Sequence, residues 1–364
     1  MKRIIILGST GSIGRQTLEI VRRNSRKFRV VGLAGGENWE QLLAQVREFQ
    51  PKFVSTKFPE KFTKVKVKIL SLEELAAKKS DLTVSAISGI SGLRPTLIAL
   101  GAGCDVALAN KESLVLAGRI VMQTARKNCA QIFPIDSEHS GVWQLLKKTD
   151  LKKIRRVILT ASGGALRDLP YDRLKDVSPH EVLAHPTWSM GAKITLDSAT
   201  LANKAYEIIE AHHLFGIPLE KIEAIIHPQS VVHALIETID GSLLAQLAAP
   251  DMRLPISYAL FGGERYSTPV KFLELGKQNL EFLKIDSKKY PLFEIILKAE
   301  QRGGLASVVA ATTAEIAGEK FLTEKIKFTD ISKIVKWRLL HVPSCSANLK
   351  NIFTTIDSLK KELQ

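Results

Sequence analysis

RIIILGSTGSIG, residues 3–14, decides the fold. Four apolar residues, Ile4 to Leu7, run straight into Gly8, Gly11 and Gly14, and apolar residues then recur at helical spacing over 17–23. A strand that meets closely spaced glycines and opens a helix is the context of a dinucleotide-binding turn. Glycine permits the tight turn and lets backbone approach a pyrophosphate, which leaves Thr10, Gly11, Ser12 and Ile13 to present N–H groups at a positive helix terminus. The alternative is a tight strand–helix turn that binds nothing.

Outward from this turn, residues 1–135 alternate short apolar runs with amphipathic ones. Strands are expected at 3–7, 29–33, 52–56, 82–87, 105–109 and 131–135, and helices at 17–23, 39–49, 72–78, 93–100 and 112–127. That alternation predicts an α/β fold with a Rossmann-like, doubly wound parallel sheet. After residue 135 the rhythm changes to a strand at 156–160, a helix over 199–215, a strand at 222–226, and two runs, 231–239 and 242–247, around the hairpin signal Asp240-Gly241. A mixed α/β catalytic domain over 136–262 and a linker over 263–288 follow from this. Four helices over 291–302, 305–323, 329–341 and 346–363, broken at Gly303-Gly304 and Val342-Pro343, then predict a C-terminal helical bundle within 289–364.

The composition, 45% hydrophobic and 24% charged over 364 residues, excludes disorder and fibrous repeats. Three scattered cysteines (Cys104, Cys129, Cys345) make neither a disulfide framework nor a zinc motif. The apolar run at the N-terminus ends at Leu7, and no segment approaches the ~18 uninterrupted apolar residues of a membrane span. A soluble, cytoplasmic protein without a membrane partner is expected. The net charge of +15 is uneven: +12 over residues 1–135, −2 over 136–262 and +5 over 263–364. Its densest stretch, KFPEKFTKVKVK (57–68), reads as a solvated edge strand or loop rather than a groove-reading element, so no nucleic-acid partner is expected. Glu37, 23 residues after Gly14, is placed to bind a ribose 2′-hydroxyl and repel a 2′-phosphate, whereas the charge of the first domain favours the phosphate. NAD and NADP both stay open on this chemistry.

Four polar segments carry chemistry. The strand at 131–135 delivers Asp136-Ser137-Glu138-His139 to its C-terminal end, where an extended backbone would put Asp136 and Glu138 on one side to share a hard cation such as Mg²⁺ or Mn²⁺. A helix N-cap is the competing reading of this segment. In DSATLANKAYEIIE (197–210), Ser198 looks like an N-cap, while Asn203, Lys204 and Glu207 fall on one helix face at i, i+4 and i, i+3. This set suits a phosphate, with a carboxylate to complete a metal site, and a Lys204–Glu207 surface pair is the plain alternative. TASGGALRD puts Ser162 and two glycines at a strand end, an oxyanion cradle or a plain loop. HPTWSMGAK (185–193) groups His185, Trp188 and Met190 as a mobile cover or as an ordinary loop anchored by tryptophan.

Together, GSTGSIG, LANKESLVLAG, PIDSEHSGVWQLL, LTASGGALRD, HPTWSMGAKITLDSATLANKAYEIIEA, IHPQSVVHALI and DGSLLAQLAAPDMRLPISYAL, spanning residues 8–260 in order, resemble the 1-deoxy-D-xylulose 5-phosphate reductoisomerase family. The resemblance implies an NADPH-dependent rearrangement and reduction of a phosphorylated sugar in non-mevalonate isoprenoid synthesis, performed by a homodimer with a divalent cation. It implies Asp136, Glu138 and Glu207 as metal ligands, and Ser162, Ser198, Asn203 and Lys204 as the phosphate pocket. Lys111, Ser137 and Glu138 match the substrate's reacting end, His185 the active-site histidine, and Trp188 with Met190 the closing loop. Lys111, Glu138 and His185 are thereby the catalytic candidates, and Thr10, Gly11, Ser12, Ile13, Gly36, Asn38, Asn110, Glu112 and Gly191 the cofactor contacts. Two departures fall on the cofactor side: Glu37 stands where the family often has a basic residue, and Ala184 where an arginine is frequent. A semialdehyde dehydrogenase would need a positioned nucleophilic cysteine, for which Cys129 in RKNCAQ is ill placed. A cofactor-sensing protein would have no use for three carboxylates.

Overall fold

The structure is a computed structural model and describes residues 1–363 apart from Thr187 and Ser189. Its first sheet has seven strands, β1 (Lys2–Leu7), β2 (Phe28–Ala34), β3 (Phe53–Ser55), β4 (Lys68–Ile69), β5 (Leu82–Ser85), β6 (Val106–Leu108) and β7 (Ile132–Pro134). All pair in parallel in the order β4-β3-β2-β1-β5-β6-β7. The order reverses between β1 and β5, so the ligand crevice expected of such a sheet lies at the carboxyl end of β1, where the glycines are. Ile4 to Leu7 are fully buried, as a central parallel strand covered on both faces requires. Crossovers are made by α1 (Ser12–Arg23), α2 (Trp39–Phe49), α3 (Leu72–Ala76), α4 (Leu93–Gly101) and α5 (Glu112–Lys127). The two-residue, exposed β4 lies at the sheet edge at the end of the lysine-rich stretch read as an edge strand or loop.

Next come α6 (Ser137–Leu146), β8 (Ile154–Ala161), α7 (Pro179–Leu183), α8 (Ala192–Ala199), α9 (Ala202–Phe215), β9 (Ile222–Ile226), β10 (Val232–Thr238), β11 (Leu243–Leu247) and α10 (Arg253–Leu260). The second sheet runs β11-β10-β8-β9, with β8–β9 parallel and the other pairs antiparallel. Val157, Leu159, Ala234 and Ile236 of this sheet share a core with Ile208 and Ala211 of α9. The C-terminal helices are α11 (Pro291–Arg302), α12 (Ala306–Leu322), α13 (Phe328–Arg338) and α14 (Leu349–Leu363), in the expected number and order.

Contacts divide the chain otherwise than the three segments expected from sequence. One unit comprises residues 1–113, 121–140 and 251–271, and the other 114–120, 141–250 and 272–364. The first unit recovers α10 because Phe261 meets Phe28 with ring centroids 4.9 Å apart, Lys2 Nζ donates to the Leu260 carbonyl at 3.2 Å, and Arg253 bonds Glu19 at 2.9 Å. The helical bundle groups with the mixed sheet, since α11 packs on α9 and α12 on α8. Much of 263–288 is irregular, with one short helical turn at Leu275–Lys277 and an isolated bridge from Leu283 to Ile226.

Two local expectations are corrected. The segment after β7 is not extended: Asp136 offers its carbonyl to the Ser140 amide at 2.8 Å and α6 begins at Ser137, so Asp136 and Glu138 lie in a helical first turn rather than alternating along a strand. Ser198 is not an N-cap. It lies near the end of α8, and the helix expected over 199–215 is broken at Leu201, whose left-handed backbone (φ 55) starts α9 with no side-chain cap.

Candidate active site

In the first unit the glycine turn is held by close approach. Gly8 has φ +91, and a Cβ there would stand 2.6 Å from the Ala86 carbonyl oxygen, while a Cβ on Gly14 would stand 2.3 Å from that of Gly8. Gly11 is the N-cap of α1 and, contrary to the expectation that its N–H is presented, donates it to the Gly8 carbonyl at 3.2 Å; no side chain caps the helix, so the first-turn amides from Ser12 and Ile13, with Thr10 also partly exposed beside them, face an anion. Sequence reading missed the brace beneath the turn: buried Ser9 donates its hydroxyl to Gln45 at 2.7 Å, and Gln45 returns a bond to the Ser9 carbonyl at 2.9 Å.

Gly36, Glu37 and Asn38 follow β2 and are exposed. Asn38 accepts the Gln41 amide at 3.0 Å as the cap of α2, and the Lys57 ammonium closes on the Glu37 carboxylate. The acid that sequence chemistry set against a 2′-phosphate is thus charge-balanced by a lysine at the end of the neighbouring strand. Asn110 and Glu112 are buried and knit two loops together. The Asn110 amide nitrogen lies 2.9 Å from the Ile87 carbonyl and 2.8 Å from that of Gly89, and Glu112 accepts the Gly89 amide at 3.2 Å. Gly92 has no side chain because a Cβ would stand 2.5 Å from the Asn110 side chain.

Lys111 is 8% exposed, and its Nζ lies 2.5 Å from Asp136 Oδ2. Asp136 Oδ1 accepts the Ser137 amide at 3.1 Å, and the Ser137 hydroxyl donates to Glu138. The start of α6 therefore gathers two carboxylates and a hydroxyl, with an ammonium against the first carboxylate. These oxygens are hard donors, and Lys111 supplies the positive charge that a bound cation would otherwise bring.

The second unit holds the other residues. After β8, Ser162 is followed by Gly163 (φ +84) and Gly164 (φ +70), and a Cβ on Gly164 would fall 2.7 Å from the Ser198 carbonyl oxygen at the end of α8. The Ser162 hydroxyl lies 3.0 Å from His185 Nε2 and 3.5 Å from the Ser198 hydroxyl. His185 Nδ1 accepts the Trp188 amide at 2.9 Å, so in the neutral ring the proton resides on Nε2 and points to Ser162. Burial, and then the nearby Arg167 guanidinium, hold the His185 pKa below the ordinary imidazole value.

Three residues absent from the sequence reading lock this loop. Arg167 donates to the Ser162 carbonyl at 3.1 Å, Lys289 to the Leu169 carbonyl at 2.6 Å, and Tyr290 to that of Gly163 at 3.1 Å. Burial pushes the Tyr290 phenol up to about 12, which keeps it a donor.

Trp188 and Met190 are half-buried, and exposed Gly191 forms the N-cap of α8 without a side-chain bond. On α9, Asn203 and Lys204 both donate to Glu207, from i, i+4 and i, i+3 as expected. Lys204 and Glu207 are 3% and 1% exposed, so they form a buried ion pair, and the surface-pair alternative falls.

Comparison with known proteins bears on what these two sets of residues do. Family profiles described as 1-deoxy-D-xylulose 5-phosphate reductoisomerase, its C-terminal domain, and DXP reductoisomerase C-terminal domain match residues 4–118, 132–215 and 247–362. The chain is 46% identical to the chloroplastic 1-deoxy-D-xylulose 5-phosphate reductoisomerase of Mentha piperita over 92% of its own length and 75% of the relative's. It is also 46% identical to the enzyme of that name from Prosthecochloris aestuarii, over 92% and 91%. A DOX-P reductoisomerase crystallised with NADPH, fosmidomycin and magnesium superposes with a TM-score of 0.95 at 39% identity, covering 100% of this chain and 97% of the other. The Zymomonas mobilis enzyme in complex with NADPH gives 0.91 at 36%, covering 100% and 98%.

Proposed function

The chain belongs to the 1-deoxy-D-xylulose 5-phosphate reductoisomerase family, and on that premise we propose how its own residues divide the work. The reaction is the NADPH-dependent rearrangement of 1-deoxy-D-xylulose 5-phosphate and its reduction to 2-C-methyl-D-erythritol 4-phosphate. The observation that carries the residue assignment is the cluster of Ser162, His185 and Ser198 around one hydroxyl, beside a turn of two left-handed glycines.

Ser162, Ser198, Asn203 and Lys204 hold the substrate phosphate, and this remote grip orients the reacting end. Asp136, Glu138 and Glu207 would ligate one divalent cation, Mg²⁺ or Mn²⁺. Their donor set fits, being all hard oxygen, and Asp136 and Glu207 each already sit against a lysine ammonium. When bound, the cation supplies Lewis acidity at the ketose oxygens and the nicotinamide supplies the hydride. Lys111 presents its ammonium, and Ser137 its hydroxyl, beside the carboxylates where the substrate oxygens arrive. His185, neutral near pH 7, directs its Nε2 proton toward Ser162 and the substrate, and Trp188 with Met190 cover them and exclude water. The open N-terminus of α1 at Thr10 to Ile13 receives the pyrophosphate. Gly36 and Asn38 border the adenosine end, Gly191 contacts the cofactor at the start of α8, and Asn110 and Glu112 fix the loop that the nicotinamide half rests on.

A homodimer is the proposed assembly, supported by the edge strand β11, whose Leu243 and Leu244 are exposed beside exposed Ile239. Among the described residues no helix is long and apolar enough to cross a membrane. The three cysteines are free thiols, which supports a cytoplasmic location.

The test follows NADPH oxidation with 1-deoxy-D-xylulose 5-phosphate in chelator-treated enzyme, with and without added Mg²⁺. Substrate-dependent oxidation that requires the metal is expected. Full activity in chelator would remove the three-carboxylate site, and no substrate-dependent oxidation would remove the assignment.

A further inference from the structure

At the end of α9 away from Asn203, Lys204 and Glu207, three side chains converge that the reaction does not use. His212 and His213 occupy the last turn of α9 and Glu300 the last turn of α11, and one donor atom from each lies within 4.8 Å of the other two. His213 Nε2 stands 3.2 Å from Glu300 Oε1. Two ligands bound at ~2.0–2.1 Å to one tetrahedral ion are separated by about 3.3 Å, so these atoms already have the spacing of two corners of such a site.

The remaining geometry prepares the donors. His212 Nδ1 lies 2.7 Å from the Ile217 carbonyl oxygen. A carbonyl can only accept, so Nδ1 carries the proton and the lone pair is left on Nε2, the outer-shell arrangement that orients a ligating imidazole. Glu300 is held by its other oxygen, which accepts the Ser307 hydroxyl. The His213 ring is seated where Gly118 lacks a side chain. A Cβ there would stand 2.1 Å from the ring, and α5 leaves helical geometry one residue earlier, at Ala117 (φ −150°, ψ 33°).

We propose that His212, His213 and Glu300 form a second metal site that takes a borderline-soft divalent ion of the zinc class, with a fourth position open to water. Two imidazoles and one carboxylate suit Zn²⁺ rather than Mg²⁺, which sets this site apart from the all-carboxylate set. On binding, the proton that His213 Nε2 shares with Glu300 passes to Nδ1 or to solvent, and the ion takes its place. The bound ion ties the end of α9 to α11. A simple His213–Glu300 hydrogen bond would require neither the approach of His212 nor its fixed tautomer.

The test uses chelator-stripped enzyme in excess Mg²⁺, which fills any hard-oxygen site, titrated with Zn²⁺ by calorimetry and with Co²⁺ by visible absorption. One Zn²⁺ per chain, tetrahedral Co²⁺ bands and a Tm that rises with Zn²⁺ are expected. His212→Gln and Glu300→Gln should each abolish the Co²⁺ bands and weaken Zn²⁺ binding by more than the ~10–100-fold that loss of an outer-shell partner costs. Ser307→Ala keeps all three ligands and should weaken binding by about tenfold, which preserves the test if a ligand variant does not fold. Absence of Zn²⁺ binding in Mg²⁺, binding unchanged by His212→Gln or Ser307→Ala, or binding lost with Asp136→Asn would overturn the site.

Discussion

His185 Nε2 and Ser162 Oγ lie 3.0 Å apart, and the Trp188 amide on the far side of the ring decides which of the two donates. Because Nδ1 is occupied as an acceptor, the neutral ring gives its proton to Ser162, and a protonated ring would lose the Trp188 bond. The acidic limb of the kcat/KM profile should therefore lie below the ordinary imidazole range, since burial first and Arg167 second disfavour the charged ring. Arg167→Leu should move that limb upward. The linked stability has the same sign. The folded pKa is depressed, so this contribution is complete above the unfolded imidazole pKa and is lost as pH falls from there through the folded value. A pH titration of the unsubstituted protein and of Arg167→Leu checks it, and an Arg167→Leu limb that moves down would contradict it.

Lys204→Ala should act on both stability and binding. Glu207 would stay buried while losing the ammonium it is paired with, and breaking a buried pair from one side costs ~3–5 kcal/mol. Loss of the phosphate contact should also raise KM for the sugar phosphate by the ~1.5–3 kcal/mol of one charge-assisted bond. Denaturant melts and saturation kinetics separate the two effects.

Gly164→Ala should disrupt the phosphate side without touching a hydroxyl. Its φ of +70 and a Cβ 2.7 Å from the Ser198 carbonyl combine backbone strain with overpacking, together more than the ~1–3 kcal/mol of overpacking alone. The melting temperature should fall and the substrate KM rise, with NADPH affinity unchanged by fluorescence titration.

Glu37→Lys should strengthen the preference for NADPH over NADH. The substitution removes the charge that Lys57 now neutralises and leaves two cations beside the adenosine end. Both partners are mostly exposed, so the gain should be only a few-fold, on the scale of the ~0.2–1 kcal/mol of a surface pair, with no change in melting temperature. The ratio of kcat/KM for the two cofactors measures it, and a weakened preference would argue that Glu37 bonds the ribose instead.

Some of this site is written in local spacing. The Ile4–Leu7 run with its glycines predicts β1, the turn and α1, and the i, i+3 and i, i+4 offsets place Asn203 and Lys204 on Glu207 before any fold is known. Features that depend on one backbone angle were not legible. Nothing in DSATLANK signals that Leu201, a γ-branched residue, takes a left-handed conformation, so the sequence reads as a helix starting at 199 with Ser198 as its cap, and α8 before it goes unread. Asp-Ser-Glu-His after an apolar strand reads equally as more strand or as a helix start, and only the Asp136 carbonyl accepting the Ser140 amide decides it. The braces were invisible for a different reason: Gln45 lies 36 residues from Ser9, and Tyr290 lies 127 from Gly163, distances at which no periodicity operates.

The return of residues 251–271 to the first unit sets an order on synthesis. Once residues 1–135 have emerged from the ribosome every strand of the parallel sheet is out, but not the helix whose Arg253 bonds Glu19 or the Phe261 ring that meets Phe28. The nascent cofactor-binding half must therefore wait, with that apolar edge uncovered, while more than a hundred further residues emerge. An N-terminal fragment cut at residue 135 inherits the same uncovered edge permanently. Joining residues 251–271 to such a fragment through a flexible tether should give it the partner that the intact chain supplies only late.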